Sequence, residues 1–146
     1  MAMIDAMCQF DSDKALPSTA TTEYSTDEVD FGAGKDAFGV ALANPDIGKG
    51  TPVWLNIIMT EAGVSAGNGT VAINLVHGAA TAPTTVLQQI CTGLAAASLP
   101  LGKKFSMAIS DPAILRFARI QVVTTTAGYE KGKYSAWLDT APLPTV

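Results

Sequence analysis

The feature that most limits what this chain can fold into is a period of two in its apolar residues, repeated in short runs. Residues 52–61 read PVWLNIIMTE, with Val53, Leu55, Ile57 and Met59 on one side and Trp54, Asn56, Ile58 and Thr60 on the other. Residues 70–77 alternate again, setting Val71, Ile73 and Leu75 against Ala72, Asn74 and Val76. Phe105, Met107 and Ile109 form a third row, Ala118, Ile120 and Val122 a fourth, and Tyr134, Ala136 and Leu138 a fifth. Alternate side chains of an extended strand face opposite sides of a sheet, so this period predicts strands. Weaker candidates at 26–31, 38–42 and 84–90 bring the total to about eight.

Turn chemistry separates these runs. Gly67-Asn68-Gly69 can supply the positive φ angles that a tight hairpin requires. Gly128-Tyr129-Glu130-Lys131-Gly132 can reverse the chain, and Asp111-Pro112 interrupts strand pairing because proline lacks an amide donor. The Ala-rich stretch 87–99 has room for a helical turn, limited by Thr92-Gly93 and Pro100. The pattern predicts an all-β fold, a jelly-roll-like antiparallel β-sandwich of about eight strands. Three regions are expected: an extended N-terminal arm over residues 1–25, the sandwich over 26–138, and a C-terminal tail over 139–146. The arm carries Pro17 and a Thr-rich tract without a period, and the tail, DTAPLPTV, contains two prolines.

Composition narrows the function. The 146 residues suit one domain, and charged residues make up 15%, against about 25% in an ordinary soluble domain. The net charge is −4 and no cluster of Lys and Arg stands out, which argues against direct nucleic-acid binding. No apolar run approaches the roughly 20 residues of a membrane helix, so no membrane partner is expected. Cys8 and Cys91 do not make a disulfide framework; a bridge between them is open, idle thiols being the commoner outcome. Residues 1–10 lack the basic start and apolar run of a secretory signal, so synthesis in a reducing cytoplasm is expected.

A search for reactive groups finds none that converge. His77 closes an alternating strand without an acidic or second-ligand partner in a motif, and reads as a structural or interface histidine. Two distant cysteines and one histidine fall short of a zinc ligand set. Gly32-Ala33-Gly34-Lys35-Asp36 lacks the spacing and the Ser/Thr of a phosphate loop and reads as a surface turn. Asn68-Gly69-Thr70 matches a glycosylation sequon but lies in the turn already noted. No Gly-x-Ser-x-Gly elbow is present. The expectation is a protein without catalytic residues, cofactor or metal.

Scarce charge coincides with apolar residues on the faces opposite the core rows: Trp54, Ile58, Val76, Val123 and Trp137. Either these pack inside one subunit or they hide against other proteins. Composition leaves both open.

Several blocks in order along the chain are more specific. They are Met1 to Asp5 with Phe10-Asp11-Ser12, then Val29-Asp30-Phe31-Gly32, and Asp46-Ile47-Gly48-Lys49-Gly50-Thr51-Pro52 leading into Val53-Trp54-Leu55. Ala66-Gly67-Asn68-Gly69-Thr70-Val71, Leu115-Arg116-Phe117-Ala118-Arg119-Ile120 and Gly132-Lys133-Tyr134-Ser135-Ala136-Trp137-Leu138 follow. In these the chain resembles the cement proteins that decorate and stabilise the heads of tailed phages, the family that includes the Bordetella phage cement protein. The resemblance implies a jelly-roll subunit on the outer face of a capsid, lying across joints between subunits of the major capsid protein. It also implies association with itself, as a homodimer or homotrimer, and no catalytic residues.

A cement role would draw first on the arm, with Phe10 and Asp11, and then on the tail. The acidic residues Asp27, Glu28 and Asp30 are candidates for pairing with Lys or Arg of the shell, and Arg116, Arg119 and Trp137 complete the expected partner contacts. The rival expectation is a carbohydrate- or ligand-binding jelly roll that uses Trp54, Tyr129 and Trp137 as stacking platforms.

Overall fold

A computed structural model of the chain describes residues 8–32, 37–40, 52–109 and 113–144. The strands are β1 (Gln9–Ala15), β2 (Thr22–Tyr24), β3 (Val29–Asp30), β4 (Val53–Val64), β5 (Thr70–Gly78), β6 (Thr85–Ala95), β7 (Lys104–Ile109), β8 (Phe117–Thr125) and β9 (Lys131–Asp139). Sheet A runs β1-β9-β4-β7; sheet B runs β2-β8-β5-β6, with β3 also paired to β8. Every pairing is antiparallel. With β2 and β3 counted as one interrupted strand, this is the nested order of an eight-strand jelly roll.

The five alternating rows supply the core. Leu55, Ile57 and Met59 of β4 face Val71, Ile73 and Leu75 of β5, Ala118, Ile120 and Val122 of β8, and Tyr134, Ala136 and Leu138 of β9, all buried. Of the row on β7, Ile109 is buried, whereas Phe105 and Met107 stay half-buried because β7 is the last strand of its sheet. Val76 and Trp137, on the outward rows, are nonetheless buried within the subunit, whereas Trp54, Ile58 and Val123 are half-buried. The two-sided core therefore accounts for part of the missing charge.

Three expectations need correction. Residues 9–15 and 22–24 are strands of the two sheets, so 8–25 do not form a separate arm; β1 pairs with β9 from Gln9↔Trp137 to Ala15↔Lys133. Residues 38–40 form a turn and bend with Phe38 and Val40 exposed, and 41–42 lie outside the described residues. The short helical turn for which 87–99 has room is present at Ala96–Ser98, after β6 ends at Ala95, and needs no correction. Gly67-Asn68-Gly69 does make a tight turn, with Asn68 at φ 58°, but it joins β4 of sheet A to β5 of sheet B and is not a sheet hairpin. Residues 33–36, 46–51 and 111–112, with the turns expected there, lie outside the described residues.

The two long sides of the sandwich close differently. On the β1/β2 side polar bonds cross between sheets: Lys14 Nζ donates to the Tyr24 carbonyl, Thr26 N–H to Asp11 Oδ1 (2.8 Å) and Asp27 N–H to the Phe10 carbonyl (3.1 Å). On the β6/β7 side, Leu87, Ile90, Cys91, Leu94 and Phe105 pack against the core while remaining partly exposed. The tail beyond β9 crosses the outer face of sheet A. There Asn56 Nδ2 donates to Ala141 O (2.9 Å), Leu143 N–H to Ser106 Oγ (3.0 Å) and Lys104 Nζ to Pro144 O (2.9 Å).

Candidate functional site

β1, β3 and β8 gather most of the charged candidates at one end of the sandwich. Antiparallel pairing of β3 with β8 sets Asp30 opposite Phe117, beside Arg116. The Arg116 guanidinium donates through Nε to Asp30 Oδ1 and through Nη2 to Asp30 Oδ2, both at 2.8 Å, a two-pronged match of fork and carboxylate. Its Cζ also lies 4.9 Å from the Phe117 ring centroid. Arg116, and then the Gly32 amide, hold the Asp30 carboxyl down to about 2.

Arg119, two residues along β8, stacks over the Tyr24 ring at 3.7 Å and donates through Nε to the Pro83 carbonyl at 2.7 Å. Glu28 Oε2 accepts from the Ala82 amide at 2.8 Å, which ties the β5–β6 connection to the segment before β3. Asp27 is exposed. Ser25, Thr26, Asp27, Glu28, Thr81, Ala82 and Arg119 line an open hollow of about 390 Å³. It is polar and shallow, with a cation on one wall and carboxylates on another, suited to a polar surface rather than an enclosed small molecule.

The other candidates play a different part. Phe10 is fully buried and Asp11 is 2% exposed, so neither can touch a partner; both hold the acidic segment from behind through Thr26 and Asp27. Asp11 Oδ2 also accepts from the Tyr134 hydroxyl at 2.6 Å, and burial, followed by the neighbouring Asp11, pushes the Tyr134 phenol strongly upward. Trp137, at 8% exposure, is likewise removed from the contact set. Tyr129 is buried with its hydroxyl donating among the carbonyls of Gly69 and Leu94, so neither it nor Trp137 offers a ring to a ligand. The stacking-platform reading loses two of its three aromatics. Sequence reasoning missed Tyr24 and the 81–83 segment; the cation–ring pair of Arg119 and Tyr24 had no local signal.

His77 is buried and its Nδ1 accepts from the Leu115 amide at 3.1 Å. Cys8 and Cys91 are not joined in a disulfide, and burial raises the Cys91 thiol above its ordinary value. Among the described residues no group of three His, Cys, Asp or Glu is placed to hold a metal ion, and no helix is long and apolar enough to cross a membrane.

The fold and this charged end define a jelly-roll sandwich with an open, polar hollow at one end. The chain belongs to the Bbp16 family, whose model matches residues 12–138; Bbp16 is a Bordetella phage protein family. No curated protein matches the chain.

Proposed function

We propose that this chain is a structural protein of a phage head, a cement protein that binds the outer surface of the capsid and bridges joints between major capsid protein subunits. The observation that carries the reading is its membership of a phage protein family across residues 12–138. The jelly-roll sandwich and the charged end around Asp27, Glu28, Arg116 and Arg119 support it. In this reading the protein has no catalytic task. It is made in the host cytoplasm and meets the shell and copies of itself, not nucleic acid or membrane.

A subunit lying across a joint adds buried area that must be lost before the joint can open. A single interface of standard size, about 1,600 Å², ranges from micromolar to picomolar affinity, and linking two contact sites raises avidity by roughly 10²–10⁴. Asp27 and Arg119 present opposite charges on one polar surface, which gives a partner both register and orientation.

The test is co-sedimentation of the purified chain with phage heads that lack it, with head stability to heat measured in parallel. Deleting residues 1–25 would remove β1 and β2, so charge reversal at the surface, Asp27→Lys, is the cleaner variant. Heads should bind the chain, resist heat better with it, and lose both effects with Asp27→Lys. Failure of the unaltered chain to co-sediment would overturn the proposal.

A further inference from the structure

We propose that the outer face of sheet A binds an extended, proline-containing segment of another protein, and that the chain's own tail lies in that site as a strap. This goes beyond the capsid reading, and its test uses no capsids, so the two fail separately.

The face is equipped to hold backbone through side chains. Asn56, 1% exposed, stands in the outward row of β4 between Ser106 of β7 and Trp137 of β9. Ser106 Oγ donates to Asn56 Oδ1 at 2.8 Å. That bond fixes both groups: Asn56 must present its Nδ2 donor, and the Ser106 oxygen is left to accept. Asn56 Nδ2 then donates to the Ala141 carbonyl (2.9 Å), Ser106 Oγ accepts from the Leu143 amide (3.0 Å), and Lys104 Nζ donates to the Pro144 carbonyl (2.9 Å). Thr140, Ala141, Pro142 and Pro144 stay exposed, so the strap is lightly held.

Proline matches this arrangement. Ala141-Pro142-Leu143-Pro144 offers four carbonyls but only two amide donors, because proline has no N–H. The face meets the tail with two donors and one acceptor, so a backbone short of N–H groups suits it. Proline also presets the extended polyproline conformation, which lowers the entropy lost on docking. The chain's two tryptophans both stand on this face, Trp54 opposite Asp139 and Trp137 opposite Asn56. Aromatic-lined grooves of this kind receive proline-rich extended segments.

The tail leaves the site incomplete. Trp137 is 8% exposed, and its buried Nε1 donor has no hydrogen-bond partner. Trp137, Asn56 and Ser106 lie in one row across adjacent strands, about 4.8 Å apart. Two residues of polyproline chain advance about 6 Å, so a segment crossing this row brings every second residue to a new strand. Ala141 and Leu143 do this at Asn56 and Ser106. The residue two places earlier would bring its carbonyl to Trp137, but in the tail that residue is Asp139, fixed in β9 opposite Trp54. A segment of another protein carries no such tether and can meet all three residues. Satisfying the indole N–H should tighten binding by about tenfold. The tail keeps the face covered meanwhile, because its tether gives it an effective concentration on the order of millimolar.

NMR of the full chain, titrated with the capped peptide Ala-Pro-Leu-Pro-Ala-Pro-Leu-Pro, tests this through the Trp137 indole and Asn56 side-chain amide signals. The full-length variant Pro142→Gly/Leu143→Gly/Pro144→Gly frees the site of its strap. It should bind the peptide at least about tenfold more tightly than the unaltered chain, with both signals shifting together. In that background Ser106→Ala and Trp137→Phe should each weaken binding by at least about fivefold. Ser106 is exposed on β7, so its variant keeps the test standing if Trp137→Phe unfolds the chain. Replacing the peptide's prolines with alanine should weaken binding in the same way. No shift of either signal with peptide at millimolar concentration, equal binding with and without the strap, or equal binding of the alanine peptide would overturn the proposal. So would signals that follow chain concentration in the absence of peptide, which would assign the face to the tail of a second copy.

Discussion

The Tyr134 hydroxyl donates to Asp11 Oδ2 at 2.6 Å across 123 positions of sequence, in a site where both residues are buried. The other Asp11 oxygen accepts the Thr26 amide, so one carboxyl group joins β9, an inner strand of sheet A, to the segment leading into β3. Tyr134→Phe removes one of these bonds and should cost about 1–3 kcal/mol. Asp11→Ala strands the buried Tyr134 hydroxyl and also removes the partner of the Thr26 amide, so it should cost more, about 2–4 kcal/mol. Urea unfolding of the two variants checks the order. Equal stability of Asp11→Ala and the unaltered chain would refute the role given to this carboxyl.

The Asp30–Arg116 pair predicts a specific acid titration. Its folded value of about 2 lies below the ordinary 3.8, so the stabilisation it contributes is present above about pH 4 and is lost as pH falls towards 2. Both side chains are more than 40% exposed, so the effect on stability is small. The local signature is sharper. Arg116→Gln should return the Asp30 carboxyl towards 3.8, read by carbon NMR of the carboxyl group across an acid series.

Two glycines should respond differently to alanine. At Gly128 a Cβ would lie 2.1 Å from the Ser18 backbone, where the Tyr129 amide bonds to the Pro17 carbonyl at 2.8 Å. Backbone cannot yield as a side-chain tip can, so Gly128→Ala should destabilise by about 1–3 kcal/mol and loosen residues 17–19. Gly93 has open space around it but sits at φ +61°, so Gly93→Ala should cost only about 1 kcal/mol of backbone strain. Thermal unfolding should separate the two.

Much of the core was legible because burial and period coincide: Leu55, Ile57, Val71, Ile73 and Ile120 each fall on a predicted inward row and are buried. β1 was not, because QFDSDKA carries two register shifts and Asp13 at φ 52°, which break the period. β2 has three residues in a Thr-rich tract, held by β8 and by Thr124, whose hydroxyl donates to the Thr19 carbonyl at 2.7 Å. β6 was read short for a related reason, since its irregular register disguises the alternation. At the charged end the residue types were visible, but Asp30 and Arg116 meet only through β3–β8 pairing across 86 positions. Phe10 and Trp137 read as contacts because nothing local shows which layer lies over them.

The tail gives a further test. The row Gln9, Trp137, Asn56 and Ser106 runs across the outer face of sheet A, and the tail bonds to Asn56 and Ser106 within it. Ending the chain after Asp139 should expose Asn56, shift tryptophan emission to the red and lower stability by about 1 kcal/mol. Unchanged emission would show that the tail does not shield this face.

The order β1-β9-β4-β7 places the last strand made between the first and the fourth. During synthesis the β5–β6 hairpin can form early, but β1 waits for its neighbour until residues 131–139 have left the ribosome. Such distant pairings make folding slow, on the scale of milliseconds to seconds. The nascent chain therefore holds a bare strand from the emergence of β1 until that of β9, and it is then, before the sandwich closes, that it is most open to capture by chaperones or by other unfinished chains.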